Sequence, residues 1–186
     1  MPLVTMDMNL NTSLKKAEIS PNIVPENFTP STLVSATYAN GEDVALGNFI
    51  KPSESADIPK VTFIAPDETA EYTLLVVDPD APTKEDPKWG PYRHWVITNI
   101  PGKLRVMLTS GDLSKGNALA PYMGPAPPPK TRDHRYIFLL YKQPRTQADF
   151  GTLAKESNNW DFKAFVNQHD LELIGVNFFI SRNDDN

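Results

Sequence analysis

The chain of 186 residues contains no cysteine, so disulfide bonds cannot hold its fold together and its chemistry cannot use a thiol. It also lacks an excess of basic residues, because 18 Lys and Arg face 23 Asp and Glu for a formal net charge of −5. General nucleic-acid binding needs clustered Lys and Arg to neutralise phosphates, and the sequence has no basic stripe. No apolar run reaches the ~18 residues that a membrane span requires.

The N-terminus lacks the basic segment and long apolar run of a secretory signal. We therefore expect a cytoplasmic protein without a transmembrane segment, and a monomer. Surface scaling for a chain of 20.8 kDa allows about 70% of the unfolded surface to be buried in a single unit. We predict one domain over residues 1–186, with residues 1–30 and 181–186 peripheral.

Short apolar runs bounded by Gly, Pro, Asn or Asp recur from residue 32 onward, which is typical of a β-sandwich or barrel. The predicted strands span residues 32–38, 44–50, 61–65, 72–77, 94–100, 136–141 and 171–180. The runs 72–77 and 136–141 are apolar on both alternating faces, which predicts central strands buried on both sides. Asn40-Gly41 is a hairpin turn signal, and Gly175 indicates a bulge or bend in the last strand.

Helix-like spacing occurs in three segments, residues 12–19, 147–156 and 161–168. Either Thr12 or its neighbour Ser13 is expected to cap the first of them. We expect the first helix to cover one end of the fold and the other two to lie against the sheets. His169 follows the third segment, where interaction with the helix dipole explains it without a functional role.

Two proline-rich loops lie next to the predicted central strands. The first begins with Asp78-Pro79-Asp80-Ala81-Pro82 directly after strand 72–77 and leads to His94. The second spans residues 121–133 and leads to His134. Together they hold 9 of the 18 prolines, whose fixed φ lowers the entropic cost of ordering a site. Each loop delivers a histidine to the start of a buried strand, where a rigid scaffold fixes the imidazole.

If these strand ends are adjacent, their polar side chains converge on one small cavity with aromatic and proline walls. The converging residues are Asp78, His94, His134 and Tyr136, with Trp89 and Tyr92 as walls. Imidazole and phenol groups donate hydrogen bonds, which suits a small oxyanion such as phosphate. A carboxylate repels an anion, so Asp78 is expected to accept an N–H from a histidine or to contact a cationic ligand group. A zwitterion such as phosphoethanolamine meets both demands.

The same residues also fit two other interpretations, an ordinary structural role and a metal site. Each residue alone fits an ordinary turn or strand rim, but two similarly built loops together favour a site. A metal-dependent enzyme is the alternative of another class, since Asp78, His94 and His134 have the composition of a two-His, one-carboxylate triad. The nearby Arg93 and Arg135 disfavour a cation, although alternation points Arg93 away from the side of His94. The chain has no Gly-x-Ser-x-Gly motif, so we favour a binding protein that is not an enzyme and has no cofactor.

The two loops, at this spacing, resemble the phosphatidylethanolamine-binding protein family, also known as Raf kinase inhibitor proteins. The residues that carry the resemblance are Asp78-Pro79-Asp80-Ala81-Pro82, Asp86-Pro87-Lys88, His94-Trp95, Gly124, Pro127-Pro128 and His134-Arg135-Tyr136. The similarity runs from about Thr32 to Ile180. Residues 122–128 and 138–144 are most similar to the fungal branch, which includes a yeast inhibitor of carboxypeptidase Y.

The resemblance implies a Greek-key β-sandwich of two antiparallel sheets with a few peripheral helices, and a pocket for phosphate or phospholipid head groups. The pocket residues that it implies are Asp78, Ala81, Pro82, Trp89, Tyr92, His94, Ala126, Pro127, His134 and Tyr136. It also implies a regulatory protein that acts through protein–protein contacts, either as an inhibitor of a serine carboxypeptidase or as a modulator of a kinase cascade.

The second loop departs from the family pattern at three positions. Arg132 and Ala126 stand where many members have Gly, and Pro129 adds a third consecutive proline. The family also typically has a cis proline in its first motif, which corresponds to Ala81-Pro82 here.

Overall fold

A computed structural model describes residues 3–102, 106–108, 115–183 and 185 of the chain. This described part contains two helices, α1 (Leu3–Lys16) and α2 (Phe162–Gln168), and a short 3-10 helix at Pro52–Glu54. Its strands are β1 (Ser35–Thr37), β2 (Asn48–Phe49), β3 (Lys60–Phe63), β4 (Glu71–Asp78), β5 (Tyr92–Pro101), β6 (Val106–Leu108), β7 (Asn117–Ala120), β8 (His134–Lys142) and β9 (Glu172–Ser181). The fold is mainly β, as predicted. Neither helix of the described part is long and apolar enough to cross a membrane.

The strands form a smaller sheet with the order β1-β3-β6 and a larger sheet with the order β2-β9-β8-β4-β5-β7. In the larger sheet, β4, β5 and β7 are successive antiparallel neighbours, and β8 returns to pair with the other edge of β4. This is Greek-key order. One pair corrects the expectation of two purely antiparallel sheets, because β2 and β9 are parallel.

Apolar residues fill two layers, one on each face of the larger sheet. The first core lies between the two sheets and includes Val34, Val61, Phe63, Leu74, Val76, Trp95, Tyr136 and Phe138. The second core lies between the larger sheet and the helices and includes Leu14, Leu75, Val77, Val96, Ile137, Leu139, Phe162 and Phe165. Because β4 and β8 contribute alternate residues to both layers, they read as continuous apolar runs, which confirms the prediction of central strands.

The N-terminal segment, residues 1–30, is less peripheral than predicted. Helix α1 begins before the predicted segment 12–19, so the expected caps Thr12 and Ser13 lie inside the helix. The segment places apolar side chains in the second core, namely Leu10, Leu14, Ile19, Val24 and Phe28. That residues 1–186 form one domain stays a prediction.

The other two predicted helices have opposite outcomes. Helix α2 confirms the segment 161–168, and the side chain of Asp161 caps it by accepting a hydrogen bond from the Ala164 amide at 2.9 Å. The helix predicted at 147–156 is wrong, because no helix forms there. Its carbonyl groups bond to distant residues instead of to the next helical turn: Ala148 O accepts from Asn99 Nδ2 and Ala154 O from Arg93 Nη2.

Most predicted strands form with shifted ends. The run 44–50 is the exception, since it is a strand only at Asn48–Phe49. The strands β6 and β7 were not predicted, because the first has three residues and the second is largely exposed and gives no alternating apolar pattern.

Both predicted glycine features are confirmed. At the Asn40-Gly41 turn, Gly41 has a φ of 92°, and Thr37 and Asp43 form an antiparallel bridge across the turn. In β9 the register shifts next to Gly175, so that Ile174 has no partner in the register with β8. This is a β-bulge.

A buried ion pair ties α1 to the loop that follows β4. The side chain of Asp80 accepts hydrogen bonds from Arg135 Nε at 2.8 Å and from Arg135 Nη2 at 2.6 Å. The remaining nitrogen of Arg135, Nη1, donates to the carbonyl groups of Ala17 and Glu18, just beyond α1. Asp80 is 1% exposed, so its charge depends on this partner.

The replacement Asp80→Ala tests the importance of this pair. Since it leaves the Arg135 guanidinium with only carbonyl partners in a largely buried position, we expect a loss of about 3–5 kcal/mol in the free energy of unfolding. Denaturant unfolding followed by circular dichroism measures it.

The control is Lys84→Ala, which removes the exposed ion pair between Lys84 and Glu18 at 2.9 Å in the same region. Exposed pairs contribute little, so this variant should unfold at the wild-type midpoint. Equal midpoints for Asp80→Ala and Lys84→Ala would contradict a structural role for the buried pair.

Candidate functional site

The site lies where three neighbouring strands of the larger sheet meet. The strand β4 runs antiparallel to both β5 and β8, so its C-terminal end lies beside their N-terminal starts. Asp78 ends β4, His94 lies near the start of β5, and His134 begins β8. The topology therefore brings together the two loops that the sequence singled out.

A β-bulge in β5 aims His94 at this meeting point. Val76 pairs with Trp95, but the next residue of β4, Val77, pairs with Arg93, so His94 is an extra residue on β5. A bulge interrupts strict alternation and redirects side chains. As a result, the His94 ring packs edge-on against Tyr136, with ring centroids 5.0 Å apart.

The meeting point is a cavity of about 170 Å³. All ten residues predicted for the pocket line it: Asp78, Ala81, Pro82, Trp89, Tyr92, His94, Ala126, Pro127, His134 and Tyr136. Met123 and Pro128 line it as well. The structure thus brings the predicted set together, and the ligand remains a prediction.

The two charged groups of the cavity, Asp78 and His134, form an ion pair with each other. Asp78 Oδ2 lies 2.7 Å from His134 Nδ1, and both side chains are buried. The other nitrogen, His134 Nε2, lies 3.0 Å from Thr131 Oγ1, whose hydroxyl proton is donated to the carbonyl group of Pro128. Because that hydroxyl has no second proton, His134 Nε2 must donate to it. His134 is therefore a donor at both nitrogens, which makes it an imidazolium paired with the Asp78 carboxylate.

The pKa of His134 agrees with this assignment. Burial alone would lower the pKa of His134, but the hydrogen bond to Asp78 and the charge of Asp78 outweigh it and raise the pKa above 6.5. The role that the sequence suggested for Asp78, accepting an N–H from a histidine, is the one observed.

His94 has a different environment. Its Nδ1 lies 2.7 Å from the carbonyl oxygen of Met123, so Nδ1 carries a proton and donates. Burial lowers the pKa of His94 below 6.5, and the nearby charge of His134 lowers it further, against the opposing effects of Met123 and Asp78. His94 is therefore neutral, and its Nε2 presents a lone pair.

The first loop is fastened from inside. The peptide bonds Ala81-Pro82 and Gly90-Pro91 are both cis, the first as the family resemblance implies. The Trp89 amide donates to the carbonyl group of Ala81 at 2.9 Å and closes the loop on itself. A Cβ atom on Gly90 would lie 2.3 Å from the carbonyl oxygen of Pro79, so only glycine fits there.

The second loop is held by its surroundings. Tyr122 donates to the carbonyl group of Ser55 at 2.7 Å, and the Met123 amide donates to the carbonyl group of His94 at 2.8 Å. Asn183 Nδ2, in the segment predicted to be a peripheral tail, donates to the carbonyl group of Pro127 at 3.0 Å. The tail therefore supports the rim of the cavity.

The three arginines that the sequence flagged near the site, Arg93, Arg132 and Arg135, lie outside the cavity. Arg93 points to the opposite face of the sheet, as predicted, where Nη2 donates to the Ala154 carbonyl group and the guanidinium lies over Trp160. Arg132 is exposed and faces Glu85. Its φ is 60°, a left-handed conformation that favours glycine, the residue that the family resemblance implied at this position.

The triad for the metal alternative does not form a ligand set. Asp78 and His134 are in direct hydrogen-bond contact, and His94 turns its Nδ1 to a backbone carbonyl. Among the residues with described side chains, no group of three or more His, Asp or Glu is arranged to hold a metal ion.

Sequence reasoning missed two residues that matter here. Thr131 fixes the second nitrogen of His134, and its spacing of three residues before the histidine is a signal that could have been used. The Met123 carbonyl fixes the tautomer of His94, and no sequence signal points to a backbone group.

Opposite shifts of the two histidines can be measured. We expect the pKa of His134 above 6.5 and that of His94 below it in an NMR titration of the imidazole resonances. The stabilisation from His134 is fully present below pH ~6.5 and is lost as the pH rises through its raised pKa, whereas His94 destabilises the fold when it is protonated below pH ~6.5. The isosteric variant Asp78→Asn should lower the pKa of His134. Unchanged titration of His134 in that variant would contradict the ion pair.

Comparisons with known proteins agree with this fold. A family model described as phosphatidylethanolamine-binding protein matches residues 26–179. The carboxypeptidase Y inhibitor of Saccharomyces cerevisiae is 29% identical, over 90% of this chain and 92% of its own. The protein MOTHER of FT and TFL1 homolog 2 of Oryza sativa subsp. japonica is 36% identical, over 81% of this chain and 80% of its own.

A solved structure extends the agreement to three dimensions. The crystal structure of carboxypeptidase Y inhibitor complexed with the cognate proteinase has a TM-score of 0.81 and 27% identity, covering 95% of this chain and 96% of that chain. The resemblance that the two loops suggested is confirmed, and the chain belongs to the phosphatidylethanolamine-binding protein family.

Proposed function

We propose that this protein binds a small oxyanion, a phosphate or the phosphate of a phospholipid head group such as phosphoethanolamine, in the cavity at the ends of β4, β5 and β8. The observation that carries the proposal is the buried ion pair of Asp78 and His134. Because His134 neutralises the carboxylate, the objection that Asp78 would repel an anion is removed.

The hydroxyl groups of Tyr92 and Tyr136 supply donors for the anion. Burial raises the pKa of Tyr136 well above its ordinary value of 10, so its hydroxyl stays protonated at neutral pH. The Ala126 amide also faces this hydroxyl. A neutral donor in a largely apolar cavity recognises an oxyanion without a fixed positive charge.

The aromatic rim suits the cationic end of a zwitterionic ligand. Trp89 is 45% exposed at the cavity, and its ring already has the Lys88 ammonium 5.8 Å from the centroid. A ligand ammonium group is attracted to such a ring in the same way.

We also propose that the protein acts by binding a protein partner rather than by catalysis. The relative from Saccharomyces cerevisiae is a carboxypeptidase Y inhibitor, and the solved relative is complexed with its cognate proteinase. Similarity over nine-tenths of both chains supports a serine carboxypeptidase as the partner.

Blocking the cavity tests anion binding. Ala126 is exposed at the cavity rim, so Ala126→Leu should fill the entrance without disturbing the core. We expect this variant to bind phosphoethanolamine at least about tenfold more weakly in calorimetric titration at pH 7, because the ligand loses its contacts in the cavity. The matched control is Ala45→Leu at an exposed alanine outside the cavity, which should bind as the wild type does. Equal affinity for both variants would contradict binding in this cavity.

The inhibitor role has its own test. We expect the purified protein to inhibit yeast carboxypeptidase Y with a stoichiometry of one to one, and to leave a zinc carboxypeptidase unaffected because its catalytic chemistry is different. Hydrolysis of a chromogenic peptide measures both. Full activity of carboxypeptidase Y with the protein in excess would contradict the proposed inhibitor role. It would not bear on the proposal that the cavity binds an anion.

A further inference from the structure

We propose that a second cavity, on the helix side of the larger sheet, binds a small apolar molecule that carries a carboxylate. This helix-side cavity has a volume of about 300 Å³ and is lined by residues of the segments 21–25, 162–167 and 171–173 and by Tyr141. It lies between the segment after α1, helix α2, the end of β8 and the start of β9. None of its described lining residues also lines the cavity of Asp78 and His134, so the two sites are separate.

The walls of the helix-side cavity are mainly apolar. Most of the residues that line it have apolar side chains, among them Ile23, Phe162, Val166, Leu171 and Leu173. Burying apolar surface is the main favourable contribution to binding in such a space. The walls therefore favour a ligand whose body is a hydrocarbon chain or ring.

Hydrogen bonds hold these walls in place before a ligand arrives. The Leu171 amide donates to the carbonyl group of Val166 at 3.1 Å and attaches the start of β9 to the end of α2. Lys163 Nζ donates to the carbonyl group of Asn22 and attaches α2 to the segment after α1. A cavity that is already formed costs little ordering entropy when a ligand binds.

Tyr141 brings a hydroxyl group without a partner to the helix-side cavity. The residue is 4% exposed and lines the cavity, and its hydroxyl forms no hydrogen bond with any residue that the structure describes. Burial raises the pKa of Tyr141 well above its ordinary value of 10, so the hydroxyl stays protonated at neutral pH. Since a buried polar group without a partner is costly, this hydroxyl favours a ligand that brings a hydrogen-bond acceptor.

Lys163 brings a positive charge to the rim of the helix-side cavity. It is the one charged residue among the described residues that line the cavity, and no described carboxylate forms an ion pair with it. The ammonium group has three donors, and the Asn22 carbonyl group uses one of them. The carboxylate at the start of α2, Asp161, accepts from the Ala164 amide instead. The charge of Lys163 is thus available to an anion.

A carboxylate on an apolar body matches all three features. One of its oxygens accepts from the Lys163 ammonium group and the other from the Tyr141 hydroxyl, while the body lies against the apolar walls. A cationic ligand would be repelled by Lys163. A fully polar ligand would lose its hydration to walls that offer few hydrogen bonds.

A pair of ligands that differ only in charge provides the experiment. The probe is 3-phenylpropionate, and its neutral analogue is 3-phenylpropionamide, which keeps a carbonyl oxygen for Tyr141. A ¹H–¹⁵N NMR titration of the full chain follows the amides of Ile23, Val166 and Leu173, which line the cavity. We expect the acid to bind with a Kd of about 1 mM or below, as a ligand of this size can. The acid should bind about three- to tenfold more tightly than the amide, because only the acid pairs with Lys163.

Two variants separate the hydroxyl from the charge. Tyr141→Phe removes a hydroxyl that has no partner among the described residues, so the thermal midpoint should not fall, while both ligands should bind about three- to tenfold more weakly. Lys163→Gln keeps a donor for the Asn22 carbonyl group and removes the charge. The affinity of the acid should then fall to that of the amide, and the amide should bind as before. The matched control Lys60→Gln changes an exposed lysine on the smaller sheet and should keep the wild-type preference.

The outcomes that contradict the proposal are distinct. Unchanged resonances of the three amides at about ten times the expected Kd of the acid would overturn binding in the helix-side cavity. Equal affinities of the acid and the amide, or a wild-type preference in Lys163→Gln, would overturn the assignment of a carboxylate. Wild-type affinity of both ligands in Tyr141→Phe would overturn the role of its hydroxyl. None of these results would bear on the anion proposed for the cavity of Asp78 and His134.

Discussion

The carboxylates of Asp78 and Asp80 lie buried at the end of β4 and in the loop beyond it, and each is paired with one of two consecutive residues at the start of β8. Because side chains alternate along a strand, His134 turns to the cavity and Arg135 turns to the opposite face. The first pair sets the charge of the site, and the second attaches the segment after α1 to the sheet. A buried carboxylate needs its partner, so the position of the first loop depends on the pairing of β4 with β8.

This double pairing makes the proposed anion site compatible with a chain whose net charge is −5. The long-range field of a protein with this net charge does not attract an anion. No unpaired cation occurs among the described residues that line the cavity, since His134 is paired with Asp78 and His94 is neutral. Recognition of the proposed anion would then depend on short-range hydrogen bonds in an enclosed space, where donors and acceptors must match the ligand one by one. Such a site discriminates by the pattern of its hydrogen bonds more than by total charge.

The sequence predicted the large features because they follow from local patterns. Runs buried on both faces identified β4 and β8. The two proline-rich loops and the strands that follow them identified six of the residues that line the cavity, and the family resemblance added Ala81, Pro82, Ala126 and Pro127. What it could not predict depends on distant partners. Residues 147–156 have helical spacing, yet their carbonyl groups bond to side chains of β5, which competes with the helix. The strand β7 is exposed enough to show no apolar period.

The chemistry of His94 shows the same limit at the level of one side chain. Strict alternation from Trp95, which points into the first core, would place His94 on the opposite face of the sheet. The bulge between Arg93 and Trp95 moves it into the cavity, and a backbone carbonyl then decides which nitrogen carries the proton. No residue type in the sequence predicts the bulge or the hydrogen bond to the backbone carbonyl group. His94 was therefore identified from the sequence as part of the pocket, but which of its nitrogens carries the proton could be decided only once the backbone was known.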